Sequence, residues 1–167
     1  MCGGTSDTIS LFEINREARR KEKTEQITLM REFAGHSGLV TSSDFLNNEY
    51  FVTGSQDSKI GLWQVEEQRA ISMYNDHEVG LTTLDVFKMD GNVFASGAND
   101  LTARIWDIRM KNACFRKLTE RDSGVSVVKF MPENINTLAV GNNSEISIYD
   151  LRALGKVGNL CLQNDNF

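Results

Sequence analysis

Val52-Thr53-Gly54-Ser55-Gln56-Asp57-Ser58-Lys59-Ile60-Gly61-Leu62-Trp63 returns later in the chain as Ala95-Ser96-Gly97-Ala98-Asn99-Asp100-Leu101-Thr102-Ala103-Arg104-Ile105-Trp106. Asp57 and Asp100 are 43 residues apart, and so are Trp63 and Trp106. Gly35-His36 stands ahead of the first copy, and Trp106-Asp107 closes the second. A period of about 40–45 residues with these marks is the signature of a four-stranded propeller blade. Such a unit cannot bury its faces alone and must stack on its neighbours. The ring so formed offers surfaces rather than a reaction centre, which points to holding other proteins.

Laid under one another, the copies divide the chain into pieces at residues 1–33, 34–74, 75–118 and 119–167. Closed propellers have about 4–8 blades, so the expected fold is all-β and holds about four blades of a larger ring. In the third copy Leu81–Phe87 reads as an inner strand and Val93–Ser96 as the next. Gly97-Ala98-Asn99-Asp100 is the expected tight turn, Thr102–Ile108 the return and Cys114–Leu118 an outer strand. Met89-Asp90-Gly91-Asn92 and Met131-Pro132-Glu133-Asn134 have turn composition. The first copy keeps only Gly3-Gly4-Thr5-Ser6-Asp7 and a strand at Ile9–Ile14. Between Asn15 and Glu32 acids nearly cancel bases, as in a solvated rim loop leading to an outer strand at Ile27–Phe33. Phe33, Phe45, Phe87 and Phe130 recur near strand ends and are expected in the core.

Composition narrows the function. A hydrophobic content of 40% with 25% charged residues suits a soluble globular protein. The net charge of −5 argues against nucleic acid, whose phosphates need concentrated Lys and Arg. No apolar run reaches membrane-spanning length, Met1-Cys2-Gly3-Gly4 opens no secretory leader, and Cys2 excludes N-myristoylation. Cys2, Cys114 and Cys161 fit neither a disulfide framework nor a zinc pattern, which places the chain in a reducing cytoplasm. Walker-type loops, Cys-x-x-Cys, His-Glu-x-x-His and Gly-x-Ser-x-Gly are all absent. No catalytic, metal or cofactor site is expected.

His36, Thr53, Asp57 and Trp63 recur as His77, Ser96, Asp100 and Trp106. Histidine, aspartate and a hydroxyl could form a nucleophilic triad, but a catalytic set would occur once, whereas both of the two histidines sit at equivalent positions. The structural alternative is a hydrogen-bond chain in each blade. Indole N–H donates to the hydroxyl oxygen, the hydroxyl to one imidazole nitrogen, and the other imidazole N–H to the carboxylate. The fourth copy departs, with Arg121 at the histidine, Val140 at the hydroxyl, Asn143 at the aspartate and Tyr149 at the tryptophan. It is expected to lack this cement.

Cys2-Gly3-Gly4, Ile9-Ser10-Leu11-Phe12 and Arg31-Glu32-Phe33-Ala34-Gly35-His36-Ser37-Gly38 carry a more specific likeness. So do Asp44-Phe45-Leu46-Asn47-Asn48 and Phe94-Ala95-Ser96-Gly97-Ala98-Asn99-Asp100. With the repeat, they resemble the WD-repeat family, and within it the beta subunit of heterotrimeric G proteins. The resemblance implies a seven-bladed ring preceded by a helix that pairs with a gamma subunit, so the chain is expected to be a piece of a longer protein. It further implies docking of an alpha subunit at the cytoplasmic membrane face, with membrane association only through partners. Carried over, the alpha-docking positions are Thr5, Leu39, Gly80, Thr82, Asn99, Gly124, Ser126 and Asn143. Leu39, Gly80 and Gly124 lack the aromatic or acidic groups the family favours there. A divergent adaptor in another complex, ribosome-associated or of ubiquitin-ligase type, is the alternative; a hydrolase on a propeller scaffold is the third class.

Overall fold

The computed structural model of the protein describes residues 7–15, 26–120, 123–153 and 155–161. The first blade contributes two strands, β1 (Ile9–Asn15) and β2 (Gln26–Phe33). The second comprises β3 (Val40–Phe45), β4 (Tyr50–Ser55), β5 (Ile60–Gln64) and β6 (Ala70–Tyr74). The third comprises β7 (Leu81–Val86), β8 (Val93–Ala98), β9 (Thr102–Asp107) and β10 (Cys114–Thr119). The fourth comprises β11 (Val127–Met131), β12 (Asn134–Gly141), β13 (Glu145–Asp150) and β14 (Gly155–Cys161). Each sheet is an antiparallel meander in which chain neighbours pair. The architecture is an incomplete β-propeller, as the repeat predicts.

The core lies in the seams between blades. Phe51 and Trp63 pack with Ile9, Leu11 and Phe33 in the seam between the first and second blades. Val52, Ile60 and Leu62 point the other way and meet Leu84, Phe94 and Trp106 of the third blade. Ala95, Ala103 and Ile105 in turn meet Val128, Leu138 and Tyr149 of the fourth. Successive side chains on a strand alternate faces, so a middle strand feeding two seams must be apolar at both parities. That is why β8 is buried along its whole length instead of alternating. Phe94 and Trp106 stack 5.7 Å apart at 5° within the third blade, and Phe51 and Trp63 stack at 6.1 Å in the second. Blades approach closely enough that a Cβ on Gly97 would lie 2.4 Å from Val125 Cγ1 of the next blade, so only glycine fits there.

The expected strands of the third copy are present, with one displacement. Gly97 and Ala98 are strand residues, pairing with Thr83, Ala103 and Leu81, and the turn begins at Asn99. An outer strand does cover Ile27–Phe33. Phe33, Phe87 and Phe130 are buried, but Phe45 is 39% exposed. One edge of its ring rests on Phe51 at 6.0 Å. Among the described residues the first blade contributes β1 and β2 alone, with no inner strand beside that ring.

Candidate functional site

The tight turn between the second and third strands of a blade places an aspartate beneath the blade's first loop. Asp57 Oδ1 accepts the Lys59 N–H at 3.0 Å, and Asp100 Oδ1 accepts the Thr102 N–H at 3.0 Å. These caps hold Ser58 at φ 69° and Leu101 at φ 64°, a left-handed conformation that side chains other than glycine seldom adopt. The second carboxylate oxygen turns inward. Asp57 Oδ2 accepts from Ser37 N at 2.9 Å and lies 3.0 Å from His36 Nδ1; Asp100 Oδ2 accepts from Glu78 N at 3.1 Å and lies 2.8 Å from His77 Nδ1.

From there the two chains run inward alike. His36 Nε2 is 2.8 Å from Thr53 Oγ1, which accepts the Trp63 Nε1–H at 2.8 Å. His77 Nε2 is 2.7 Å from Ser96 Oγ, which accepts the Trp106 Nε1–H at 2.8 Å. Indole can only donate, so the hydroxyl must donate onward to Nε2, and Nδ1 must carry the proton it gives to the carboxylate. A neutral imidazole is therefore fixed in one tautomer. Burial pushes His77 below the ordinary histidine value, outweighing the opposing pull of Asp100. Burial alone would raise the Asp57 and Asp100 carboxyls, but their combined hydrogen bonds hold both below the usual range. The imidazoles are 5% exposed or less, and their hydroxyl neighbours are fully buried. A nucleophile needs substrate access, and this geometry gives none.

The fourth blade has a different solution, which placing Arg121 at the histidine position did not reveal. Val140 does occupy the hydroxyl position, paired with Ser147 as Thr53 is with Gly61. Arg121 lies outside the described residues. Its neighbour Glu120, 3% exposed, accepts from Tyr149 Oη at 2.7 Å and from Ser147 Oγ at 3.1 Å. Burial and the nearby Glu120 carboxylate raise the Tyr149 phenol well above its usual value. The blade has no hydroxyl at the position of Thr53 and Ser96, as expected, but it keeps a buried polar anchor of another kind, which was not expected. The signals were an acid one residue before the expected histidine, a serine two residues before Tyr149, and a phenol that needs a partner once buried.

The aspartate assignment shifts as well. Four residues, Asn142 to Glu145, separate Gly141 from its partner Ile146, whereas Ser55 to Lys59 separate Gly54 from Ile60. In this shorter turn Asn142 Oδ1 accepts from Ser144 N and Glu145 N, both at 2.9 Å, so Asn142 is the cap. Asn143 is exposed at the tip, its Oδ1 accepting from Ser126 Oγ at 3.3 Å.

Residues 27–64 and 68–107 match the family model described as "WD domain, G-beta repeat". These stretches are WD repeats. Over most of its length the chain is similar to proteins named guanine nucleotide-binding protein subunit beta. It is 27% identical over 158 residues to that of Oryza sativa subsp. japonica and 26% to that of Zea mays, in each case covering 90% of this chain and 41% of the relative. The Saccharomyces cerevisiae protein is 24% identical over 155 residues, 90% of this chain and 35% of its own length. The chain thus spans well under half of the curated relatives it matches.

The positions carried over from that family fall at the turn end of the blades. Thr5 lies outside the described residues. Asn99, Ser126 and Asn143 are exposed there, and Leu39 and Thr82 are half-buried. Thr82 Oγ1 donates to Gly97 O at 3.0 Å and to Val125 O, tying the third blade to the fourth. Gly80 and Gly124 are spent on packing between blades. A Cβ on Gly80 would lie 2.9 Å from Gln56 Cα, and one on Gly124 2.9 Å from Asn99 Cα. Among the described residues no cluster of His, Cys, Asp or Glu could hold a metal ion, and no helix is long and apolar enough to cross a membrane. Burial raises the Cys114 thiol, the opposite of an activated thiolate.

Proposed function

We propose that this chain contributes to a non-enzymatic signalling scaffold of G-protein beta type, docking an alpha subunit on the turn end of its blades and working with a gamma subunit. Asn99, Ser126 and Asn143 would supply polar contacts, with Leu39 and Thr82 beside them. The observation that carries the reading is the pairing of an exposed tip with a buried anchor: the turn bearing Asn99 is pinned from beneath through Asp100 and His77, so its tip is presented at little entropic cost on binding. Similarity to beta subunits over 90% of the chain supports the same assignment. The scaffold would work in the cytoplasm and reach the membrane face only through its partners, with neither cofactor nor nucleic acid involved. The test is capture of a purified alpha subunit by the full-length protein co-expressed with a gamma subunit. Capture with GDP and release with a non-hydrolysable GTP analogue is expected; failure in both states would overturn the assignment.

One observation favours a second reading, a divergent WD-repeat adaptor in another complex of the ribosome-associated or ubiquitin-ligase kind. Gly80 and Gly124 offer no side chain where a partner would be gripped, and their space is filled by Gln56 and Asn99. Buried anchors of large side chains dominate most interfaces, so an alpha subunit would have to be held by a different set of contacts.

A further inference from the structure

The outer strands share an irregularity at one place in every blade. In β2, Arg31 pairs with Leu11 and Leu29 with Phe12, leaving Met30 unpaired. Ile71 is skipped between Ala70 and Ser72 in β6, Phe115 between Cys114 and Arg116 in β10, and Val157 between Lys156 and Gly158 in β14. Each is a β-bulge, a device that bends an edge strand and breaks its ladder. Each bulged residue is also a large hydrophobe in the open: Met30 is 49% exposed, Ile71 45%, Phe115 44% and Val157 67%. An isolated exposed hydrophobe needs no explanation. A fourfold recurrence at one register position puts an apolar point on the rim of every blade.

The rim also carries charge of one sign. Strands β2, β6, β10 and β14 hold Arg31, Arg116, Lys117 and Lys156 against the single acid Glu32, in a chain whose net charge is −5. Lys156 is paired with Glu145 at 2.7 Å. Arg31 and Arg116 donate instead to main-chain carbonyls of the following blade, Val65 O and Leu151 O. Among the described residues neither meets a carboxylate, so their charge stays available beside Met30 and Phe115.

We propose that the bulged rim is a second docking surface, occupied by an amphipathic helix of a partner protein with an acidic polar face. The bulges argue for a helix: a broken ladder cannot satisfy an added strand, so the visitor must hydrogen-bond its own backbone. The positive rim charge argues for acids flanking its apolar stripe. A flat bilayer would touch a convex rim at one blade, whereas the apolar points recur on four. A helix of about 20 residues is about 30 Å long and can lie across neighbouring blade edges.

The experiment is fluorescence anisotropy with a labelled helical Leu/Glu/Ala peptide of about 20 residues, leucines at i, i+3, i+4 and i+7, its Leu/Lys/Ala counterpart, and vesicles with about 30% phosphatidylserine. Saturable binding of the Glu peptide is expected, weakened at least about fivefold by Phe115→Ser and again by Arg116→Gln with Lys117→Gln. Thermal melts check that these exposed substitutions leave the fold intact; if Phe115→Ser melts early, Ile71→Ser reports on the same surface. Equal binding of the Lys peptide, indifference to Phe115→Ser and Ile71→Ser, binding to vesicles in place of the peptide, or binding to neither would each overturn the proposal. Alpha-subunit capture uses the turn end, so either surface can fail without the other.

Discussion

In the third blade a neutral imidazole stands between a carboxylate and a hydroxyl, and the hydroxyl accepts a hydrogen bond from the indole N–H; in the fourth, one carboxylate accepts directly from two hydroxyls. His77 and Glu120 come from equivalent places, the link between one blade's outer strand and the next blade's inner strand. Trp106 and Tyr149 are equivalent too, 43 residues apart on the third strand. What the repeat preserves is a requirement: the polar tip of a large seam aromatic must find a partner on the incoming loop. Indole stops short and needs a hydroxyl relay, while the phenol reaches the loop itself. The residues that meet the requirement can change together.

The comparison breaks most visibly at Glu120. Glu120→Ala strands the Tyr149 and Ser147 hydroxyls in a buried site and should cost about 3 kcal/mol, since bonds to a charged acceptor contribute about 1.5–3 kcal/mol each. For a chain of this size that lowers Tm by about 6–12 °C, at about 2–4 °C per kcal/mol. Glu120→Gln keeps an acceptor for one hydroxyl and should lose less than half as much. A neutral Glu120→Ala in calorimetry would mean that seam packing alone holds the fourth blade.

Asp100→Ala comes next, at about 2 kcal/mol. The Asp100 side chain is 4% exposed and accepts from Glu78 N, Thr102 N and the Thr102 hydroxyl as well as meeting His77. Asp57 lacks the hydroxyl contact, because Lys59 stands where Thr102 does, so Asp57→Ala should cost slightly less. Equal losses would show that Thr102 adds nothing.

These contrasts mark what could be seen in advance. The propeller was legible because it rests on a period: strands, seams and tryptophans recur at fixed spacing, and burial at both parities leaves continuous apolar runs such as Val93–Ala95. The two histidine chains were legible for the same reason. Glu120 was not, although it lies 43 residues after His77, because the histidine position had been assigned to Arg121. Nothing in the repeat says that a carboxylate can replace an imidazole once the aromatic changes. Asn142 was not, because it lies one residue off the 43-residue grid, where a shortened turn has shifted the cap. Phe45 was misread because its sequence looks like Phe87, while its burial depends on what the neighbouring blade supplies. A period reports what is repeated; departures are fixed by local geometry.

The cap assignment in the fourth turn gives a finer contrast. Asn142→Ala removes three accepted bonds, from Ser144 N, Ser144 Oγ and Glu145 N, and should cost about 1 kcal/mol. Asn143→Ala removes one exposed contact, from Ser126 Oγ at 3.3 Å, and keeps the backbone bond to Ser123, so it should stay within about 0.5 kcal/mol of wild type. The reverse order in urea melts would return the cap to Asn143.

Acid separates the blades without mutation. The folded-state value of His77 lies below its unfolded one, near 6.5. The unfolded chain therefore binds more protons as pH falls below about 6.5, and stability drops there. The depressed Asp57 and Asp100 lose their contribution only below about 4, as pH falls through their folded values. The charges around His77 are Asp100, Asp76 and Arg104. His77→Gln should start less stable and show a shallower fall in Tm between pH 7.5 and 5.5; an unchanged slope would assign the loss elsewhere.

The smallest effect concerns the turns, and here the two blades should differ in sign. Leu101 is held at φ 64° by the Asp100 cap, a conformation costing about 1–3 kcal/mol for a residue with a side chain. Glycine removes that cost and adds back about 0.5–1 kcal/mol of unfolded-chain entropy. Leu101 is partly solvent-exposed, so little packing is lost. Leu101→Gly should therefore be neutral to slightly stabilising, and Ser58→Gly likewise. Ser144, in the shorter turn, has no positive φ to relieve, so Ser144→Gly should only destabilise, through the same entropy and the loss of its hydroxyl bond to Asn142. If all three glycines shift Tm in one direction, the strain is not where the five-residue and four-residue turns part company, and the fourth blade differs from its neighbours in its anchor alone.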